Sequence, residues 1–386
     1  MGLLILFTGC NTICYVVIDL IYNTLFHSLS KVPGPFWSKL SSVPFFYHAI
    51  RGDRHIWTWQ LFQLHGDKIR TAPNVVLFRD PDAYNTIFSW KANVRKSNFY
   101  AAWQRNEHAK RRRLLNLAFT ERSLKASGLF MERHVDRWNE LFLAKVEERD
   151  EEGWRSPVDI SKKTEFLMFD NMGDLAFGAD FRTKEPGDSK LKAVPHVIKE
   201  YMAFANPIAK SPLLGLIDAD PDTGELAYKT AADLMPEANL LIIAASHTTN
   251  ATISSFFFYF GHNPRVYRKL VQEIRSTFTK PDEIAQGPKL TGCTYLRACI
   301  DEAMRFTTGG PSELPRVIQK SGQELLDDIY PEGVEVGCPS WSLNSKEATF
   351  GDATTFRPEH WIPYSGPDTF NPPEEVARIK KLVHGS

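Results

Sequence analysis

The pattern of apolar and polar positions predicts a mainly helical chain with small β-sheets. Residues 105–150 carry an apolar stripe at helical spacing, and residues 160–205 continue it with two interruptions. Residues 68–78 instead predict two short strands around a turn. Residues 206–235 are rich in Pro, Gly and Asp, which predicts a loop.

The longest apolar segment of the central chain predicts a buried helix. It starts at Pro236, which suits a first helical turn, and helix-stop residues follow at 261–264. A helix that is apolar nearly all round must lie in a core or a bilayer. The polar cluster 246–250 at its middle would be unfavourable at the centre of a bilayer, so the core of a large domain is favoured. Its polar side chains are then expected to find partners or to line a cavity.

A second apolar segment, residues 3–26, is long enough to cross a bilayer as a helix. It contains three polar residues that are unfavourable at membrane depth, Asn11, Asp19 and Asn23. Positive charge follows the segment at Lys31, Lys39 and Arg51, which favours a membrane anchor with the rest of the chain on the cytoplasmic side. A cleaved signal peptide and a buried amphipathic helix are the alternatives.

The sequence Pro33-Gly34-Pro35 cannot continue a helix and predicts a stiff connector. We therefore expect a transmembrane anchor at residues 1–26, a hinge at 27–36 and one globular domain at 37–386.

Charge and cysteine content exclude several classes of protein. Lys and Arg total 46, as do Asp and Glu, so no net field would attract nucleic acid. The five cysteines are few, odd in number and without zinc spacing. The sequence therefore predicts neither a disulfide framework nor a metal site made of cysteine and histidine clusters.

Two motifs near the C-terminal end carry little information individually, but their order along the chain is informative. Glu302 and Arg305 lie three residues apart on a predicted helix over residues 294–306, and a Phe-Arg-Pro-Glu-His-Trp stretch follows at 356–361. The anchor, the Pro-Gly-Pro connector, a basic helix at 110–113 and the Ala-Ala-Ser-His-Thr-Thr helix precede them. This order resembles the cytochrome P450 family along essentially the whole chain, and most closely fungal microsomal members. The resemblance implies the P450 fold, mainly α with small β-sheets.

The resemblance also implies roles for individual residues. Glu302 and Arg305 would form a buried ion-pair network with Arg357. Arg112 and Arg316 would pair with the haem propionates, for which the guanidinium geometry suits a carboxylate. His108 stands four residues before Arg112, where the family usually has tryptophan.

The resemblance places the oxygen-activation groove in the middle of the long helix. Thr248 would supply the groove's alcohol. His247 occupies the position of the family's acidic proton donor, and histidine can shuttle protons near neutral pH. Ala245 stands where the family usually has a glycine, which narrows the groove.

The family ligates iron with a cysteine thiolate soon after the Phe-Arg-Pro-Glu stretch. No cysteine follows Cys338 in this sequence, and no cysteine fits the family's loop. We therefore expect a P450-like protein that stops before that loop, with doubtful haem binding and inactive or impaired as a monooxygenase of secondary metabolism. Its partners would be the endoplasmic reticulum membrane, NADPH–cytochrome P450 reductase and an apolar small-molecule substrate. The alternatives are an active P450 with an incomplete sequence and a non-catalytic, membrane-anchored binding protein.

Overall fold

The computed structural model describes residues 17–18, 20–102, 121–144, 157–177, 179–195 and 231–362, with the single positions 374 and 377. Within these ranges the chain is mainly helical. The helices of the N-terminal half are α1 (Phe36–Leu40), α2 (Val43–Arg51), α3 (Arg54–His65), α4 (Pro81–Phe88), α5 (Glu121–Leu143) and α6 (Ile160–Phe177). Those of the C-terminal half are α7 (Ala231–His262), α8 (Pro264–Thr277), α9 (Pro288–Thr291), α10 (Thr294–Phe306), α11 (Ser340–Asn344) and α12 (Glu347–Phe350).

Two small sheets accompany the helices. Their strands are β1 (Lys68–Ala72), β2 (Val75–Phe78), β3 (Val94–Lys96), β4 (Arg316–Ile318), β5 (Gln323–Leu325), β6 (Asp328–Tyr330) and β7 (Glu335–Gly337). The larger sheet has the order β1-β2-β7-β4-β3, and β5 pairs with β6 in a hairpin. Strands β2 and β7 pair in parallel, whereas the other neighbours run antiparallel. The sheet therefore joins the first hundred residues to residues 316–337.

The local patterns predicted several of these elements. The two strands predicted within residues 68–78 are confirmed as β1 and β2, and the helix predicted over residues 294–306 is confirmed as α10. The prediction that the long helix starts at Pro236 is wrong, because α7 begins at Ala231. Ala231 and Ala232 are strong helix formers, and Pro236 removes only one backbone donor.

One π-helical turn and four 3₁₀ turns complete the secondary structure of the described residues. A π-helical turn spans Tyr22–Phe26, and 3₁₀ turns span Asn98–Ala102, Lys190–Ala193, Pro281–Glu283 and Pro358–Trp361. The last of these forms within the Phe-Arg-Pro-Glu-His-Trp stretch.

Two apolar clusters support the fold. The first covers one face of the larger sheet and includes Phe78, Ile87 and Val336, all at most 1% exposed. The second lies where α7, α8 and α10 meet, and it brings Phe356 against Phe260 and Tyr295. The second cluster therefore fixes the C-terminal stretch against the long helix and the Glu-x-x-Arg helix.

The Pro-Gly-Pro connector packs against the first strand. The Arg70 backbone N–H donates to the Pro33 carbonyl (2.7 Å), and Arg70 Nη1 donates to the Asn23 carbonyl (2.8 Å). A Cβ on Gly34 would overlap the Arg70 carbonyl oxygen, so glycine permits this approach. Arg70 thus fastens residues 23–34 to β1.

The predicted transmembrane anchor lies mostly outside the described residues. Residues 17–18 and 20–21 are helical, and the π-helical turn follows them. Within the part of the chain that the structure describes, no helix combines the length and apolar character needed to cross a bilayer. The division at residues 26 and 36 stays a prediction.

Candidate functional site

A fully buried carboxylate, Glu302, organises the C-terminal core. Arg305 Nε and Nη2 donate to its two oxygens at 2.9 Å each, which is the bidentate geometry of a strong charge-assisted pair. Trp361 Nε1 donates to Oε2 at 2.9 Å, and the Arg357 backbone N–H donates to Oε1 at 2.8 Å. Burial raises the pKa of Glu302, but hydrogen bonds from Arg305 and His360 outweigh it and lower the pKa to about 2.

Arg305 links this carboxylate to three separate segments of backbone. Its Nη1 donates to the carbonyl oxygens of Asn344 and Ala353, each at 2.8 Å, and its Nη2 contacts the Thr355 carbonyl at 3.3 Å. The guanidinium is 2% exposed as a side chain, so these bonds are made away from water. The pair therefore ties α10 to α11 and to the segment before Phe356.

The arginine expected to complete the network contributes its backbone. Arg357 Nη2 forms an ion pair with Asp352 Oδ1 (2.8 Å), while its backbone N–H donates to Glu302. The side chains of this stretch that approach Glu302 are Trp361 and His360, whose Nδ1 lies 3.2 Å from Oε1. A 3₁₀ turn starts at Pro358 and brings residues 360 and 361 to the buried side.

His360 bridges two carboxylates. Its ring is 0% exposed, with Nδ1 facing Glu302 and Nε2 lying 2.9 Å from Asp352 Oδ1. Arg357 Nε also lies 3.2 Å from Nε2. The His360 ring therefore lies between the two carboxylates, and its contact with Asp352 is the shorter one. The sequence reasoning missed His360 and Trp361 because it paired charges and left the ring donors of the same stretch unassigned.

A second buried carboxylate lies beside the first. Glu359 is 1% exposed and pairs with Arg265 Nη1 (2.6 Å) and Lys269 Nζ (3.3 Å) on α8. The Tyr295 hydroxyl donates to it from α10 at 3.2 Å. Burial raises the pKa of Glu359, but the hydrogen bond from Arg265 outweighs it and lowers the pKa to about 2. Glu359 thus joins α8 to α10.

The polar residues in the middle of α7 lie in two environments, one buried and one exposed. Asn250 is buried and accepts a hydrogen bond from the Thr164 hydroxyl of α6, and Ser254 Oγ donates to the same amide oxygen at 3.2 Å. Thr248 is exposed and His247 is half-buried. Asn250 and Ser254 therefore meet the expectation that polar groups of this helix find partners, whereas the cavity-lining role of the other polar residues stays a prediction.

Thr248 faces the loop that follows α10. A Cβ on Gly309 would lie 2.9 Å from the Thr248 methyl carbon, so a residue larger than glycine would require a shift. The Thr252 hydroxyl donates to the Thr248 carbonyl (3.1 Å), one turn further along α7. The oxygen-activation role of Thr248 and His247 stays a prediction, as does the effect of Ala245, whose side chain lies outside the description.

Arg316 begins the strand that follows this loop. Its Nη1 donates to the Tyr100 hydroxyl (3.0 Å) and to the Pro315 carbonyl (3.1 Å). The guanidinium carbon lies 5.0 Å from the centre of the Phe88 ring. His108 and Arg112, the other predicted cofactor-binding residues, lie outside the described residues. The pairing of Arg112 and Arg316 with the haem propionates therefore stays a prediction.

The loop also carries a buried ion pair with an N-terminal helix. Arg54 Nη2 of α3 lies 3.5 Å from Glu313 Oε1, with 6% and 2% of the two side chains exposed. The Arg54 guanidinium carbon lies 4.8 Å from the centre of the Phe45 ring. Arg54 Nε and Nη1 have no hydrogen-bond partner among the described residues. This pair connects α3 to the segment between Gly309 and Arg316.

A group of ionisable side chains also lies between α5 and α6. Lys184 Nζ contacts His134 Nδ1 (2.7 Å) and Asp170 Oδ2 (3.2 Å), while His134 Nε2 contacts Asp174 (3.1 Å). His134, Asp170 and Asp180 could converge on a metal ion. The ammonium group of Lys184 contacts all three of those side chains. The Lys184 ammonium group therefore occupies the position between these three side chains.

The described cysteines do not fit an iron thiolate. Cys293, Cys299 and Cys338 are at most 2% exposed and pack within protein cores. Burial raises the pKa of the Cys299 and Cys338 thiols, which disfavours their thiolate forms. Arg316 suits a propionate, whereas none of the three described thiols suits iron as a thiolate ligand.

In the described residues a central helix packs against a Glu-x-x-Arg helix, and a mixed sheet accompanies them, which is consistent with the P450 fold expected from the sequence. The family model for cytochrome P450 matches residues 213–376. The chain is 27% identical over 397 residues to the cytochrome P450 monooxygenase poxM of Penicillium oxalicum, covering 89% of this chain and 77% of that protein. It is 28% identical over 422 residues to apf7 of Gibberella fujikuroi, covering 90% and 79%.

A third relative is the cytochrome P450 monooxygenase atnE of Emericella nidulans, 27% identical over 399 residues, with 87% of this chain and 76% of that protein covered. The family-model match and these relatives support a member of the cytochrome P450 family, and that family implies a haem cofactor.

Proposed function

We propose that the protein is a haem-dependent monooxygenase of fungal secondary metabolism, acting on an apolar small molecule. The buried Glu302 network carries this proposal, because it joins α10, α11 and the 357–361 turn, and the adjoining apolar cluster packs this core against the long helix. The similarity to fungal cytochrome P450 monooxygenases supports the reaction class. Haem, when bound, supplies activation of dioxygen, and NADPH–cytochrome P450 reductase supplies electrons.

Different residues of the chain would have different roles in such a site. Thr248 on α7 faces the loop at Gly309 and offers a hydroxyl for proton delivery. The neighbouring His247 is half-buried, and a histidine there could exchange protons near neutral pH. Arg316, stacked near Phe88, offers a guanidinium that suits a carboxylate of the cofactor. These roles require His247, Thr248 and Arg316 to face one cavity.

A membrane location belongs to the same proposal. Residues 3–26 form an apolar segment followed by Lys31 and Lys39, which favours a single-pass anchor in the endoplasmic reticulum with the domain in the cytoplasm. Protease protection of tagged microsomes tests this orientation. Digestion of a C-terminal tag in intact microsomes is expected, and a protected tag would contradict the orientation.

We further propose that the 386-residue polypeptide is inactive or impaired in thiolate-dependent chemistry. The buried thiols of Cys293, Cys299 and Cys338 support this, since each is enclosed by other protein groups. The test is the reduced carbon monoxide difference spectrum of this polypeptide supplied with haem. No thiolate-type Soret band is expected, and the appearance of one would refute the proposed impairment. A longer transcript with a cysteine loop would restore the band if the sequence is incomplete.

A non-catalytic, membrane-anchored binding role is the second candidate. It is favoured by the same buried cysteines, together with a Glu302 network whose described partners are all protein groups. Purification of tagged microsomal complexes without added haem separates the candidates. Stable co-purification with another enzyme, together with the absence of a Soret band, is the result expected for this role. Substrate turnover by the 386-residue chain would exclude it.

A further inference from the structure

The 179–185 segment lies against α6, and the Asp170 carboxylate of that helix holds it there. The Thr183 backbone N–H and hydroxyl donate to Asp170 Oδ1 at 2.8 and 2.6 Å, and the Lys184 backbone N–H donates to Oδ2 at 3.0 Å. The Thr183 hydroxyl also lies 3.2 Å from the Phe166 carbonyl oxygen, one turn earlier in the helix. All of these contacts are with α6, so they fix the segment to α6 without the help of α5.

A buried contact joins the same segment to α5. Lys184 Nζ lies 2.7 Å from His134 Nδ1, and the two side chains are 3% and 2% exposed. An ammonium group can only donate, so Nδ1 accepts this hydrogen bond and carries no proton. The ring proton therefore lies on Nε2, which donates to Asp174 Oδ2 of α6 at 3.1 Å. The hydrogen-bond network thus assigns His134 as the neutral Nε2–H tautomer.

Charged side chains from α5, α6 and the segment lie around the His134 ring. They are Arg133 on α5, Asp170 and Asp174 on α6, and Asp180 and Lys184 on the segment. Two cations therefore accompany three carboxylates, and a neutral ring leaves a single negative charge in excess. The total charge would thus accept a proton on His134. What opposes that proton is the position of the Lys184 ammonium group.

Protonation of His134 is incompatible with its contact to Lys184. The added proton would lie on Nδ1 and point at the ammonium group, which places two cations 2.7 Å apart with no acceptor between them. Asp174 holds the ring from its Nε2 side. Lys184 has two other acceptors, Asp170 Oδ2 at 3.2 Å and Asp180 Oδ1 at 3.5 Å. The lysine is therefore the partner that moves, from the ring toward the two carboxylates.

We propose that the contact between His134 and Lys184 is a proton-controlled latch between α5 and the 179–185 segment. With a neutral ring, Lys184 joins the segment to α5. With a protonated ring, the ammonium group moves onto Asp170 and Asp180, and the segment stays on α6 while its buried contact with α5 is lost. Histidine ordinarily changes charge between about pH 5 and 8, so the latch is closed at about pH 8 and open at about pH 5. The inference does not depend on haem, on a membrane or on the proposed function.

An exposed ion pair between the same two elements provides a matched control. Arg137 Nε and Nη2 of α5 donate to the two carboxylate oxygens of Glu185 at 2.9 and 2.7 Å. The hydrogen bond from Arg137 lowers the pKa of Glu185, and arginine stays protonated, so neither group titrates between about pH 5 and 8. The coupling across this pair should therefore be the same at both ends of that range.

The test is a double-mutant cycle on the full chain, measured by urea unfolding at about pH 8 and about pH 5.5. EDTA is present so that no metal ion competes with Lys184. The cycle combines His134→Leu, Lys184→Met and the double variant. A stabilising coupling is expected at the higher pH, because the hydrogen bond exists there, and its loss or reversal is expected at the lower pH. His134→Gln instead keeps an acceptor for Lys184 without a titrating group, so a cycle built on it should show coupling at both pH values.

The coupling between His134 and Lys184 is compared with that of the Arg137→Gln, Glu185→Gln cycle. A His134–Lys184 coupling that is equal at the two pH values would overturn the proposal, as would the absence of coupling at the higher pH. A fall of the control coupling at the lower pH would also overturn it, because the loss would then reflect a general loosening of the domain.

Histidine NMR of the native chain decides the question if a leucine or methionine variant does not fold. The His134 signals are identified by their absence in His134→Gln. An Nε2–H tautomer is expected at the higher pH, followed by titration of the ring toward the lower pH. A ring protonated on Nδ1 at the higher pH, or a ring that does not titrate, would refute the latch.

Discussion

Replacing Glu302 by glutamine should destabilise the fold strongly. The carboxylate is fully buried and accepts hydrogen bonds from Arg305, Trp361 and the Arg357 backbone. Glutamine keeps the shape, but it removes the charge and turns an amide donor toward groups that are themselves donors. Arg305 is then left as a buried charge with a weakened partner. Loss of one member of a buried pair costs about 3–5 kcal/mol.

The pKa of Glu302 gives an independent value for the stability that its charge contributes to the fold. Its pKa falls from 4.5 to about 2 on folding. At roughly 1.4 kcal/mol per pKa unit, this shift corresponds to about 3 kcal/mol of stability near neutral pH. Because the folded pKa is the lower one, the contribution is fully present above pH 4.5 and declines as the pH falls toward 2. The stability difference between the native chain and Glu302→Gln should therefore narrow by about 2 kcal/mol between pH 7 and pH 3.

Urea unfolding followed by far-ultraviolet circular dichroism measures both effects. Glu283→Gln is the matched control, because hydrogen bonds from Lys289 and Thr279 also lower the pKa of Glu283 to about 2, although its carboxylate is exposed to water. Its unfolding midpoint should stay at the native value. Trp361→Phe removes one neutral donor from Glu302 and should cost about 1 kcal/mol. A Glu302→Gln midpoint equal to that of Glu283→Gln would refute the reasoning.

Three further predictions concern other buried groups. Arg54→Met should lower the free energy of unfolding by about 3 kcal/mol, because Glu313 stays buried and loses its ion pair with Arg54. The double variant Arg54→Met with Glu313→Leu should recover most of this loss. Urea titration of both variants and of Glu313→Leu completes the double-mutant cycle, and a double variant as unstable as Arg54→Met would contradict the prediction. Gly34→Ala should lower the melting temperature in circular dichroism, because the added Cβ overlaps the Arg70 carbonyl, whereas Gly52→Ala, which meets no neighbouring atom, should show a smaller loss due to its left-handed φ of 75°. Iodoacetamide should leave Cys293, Cys299 and Cys338 unmodified in the folded chain and alkylate all three in urea, as read by peptide mass spectrometry; rapid alkylation of Cys299 in the folded chain would show that its thiol is accessible.

Local patterns predicted the elements whose determinants are local. Strands β1 and β2 follow from two short runs on either side of a Pro-Asn turn, and α10 follows from helical spacing between residues 294 and 306. The true start of α7 was missed because a proline was taken as the first turn, although a helix can begin earlier when alanines precede it. Such boundaries depend on tertiary packing as well as on propensity.

The partners of the buried charges could not be read from the sequence. Arg54 and Glu313 are far apart in the chain, and only the packing of α3 beside the 309–316 loop brings them to 3.5 Å. Within the 356–361 stretch, the family resemblance implied Arg357 as the partner of Glu302. The 3₁₀ turn instead brings the ring donors of His360 and Trp361 to the carboxylate and leaves the Arg357 guanidinium with Asp352.

The partners of Glu302 determine which experiments can distinguish the catalytic from the non-catalytic candidate function. Its recorded donors, Arg305, the Arg357 backbone, His360 and Trp361, all belong to the protein and lie within residues 305–361. The network can therefore close before any cofactor binds, and folding of this core does not depend on an iron ligand. A cooperative unfolding transition in the haem-free chain would thus be compatible with the catalytic and the non-catalytic candidate alike. Only spectra that report the iron ligand, together with turnover, distinguish the two.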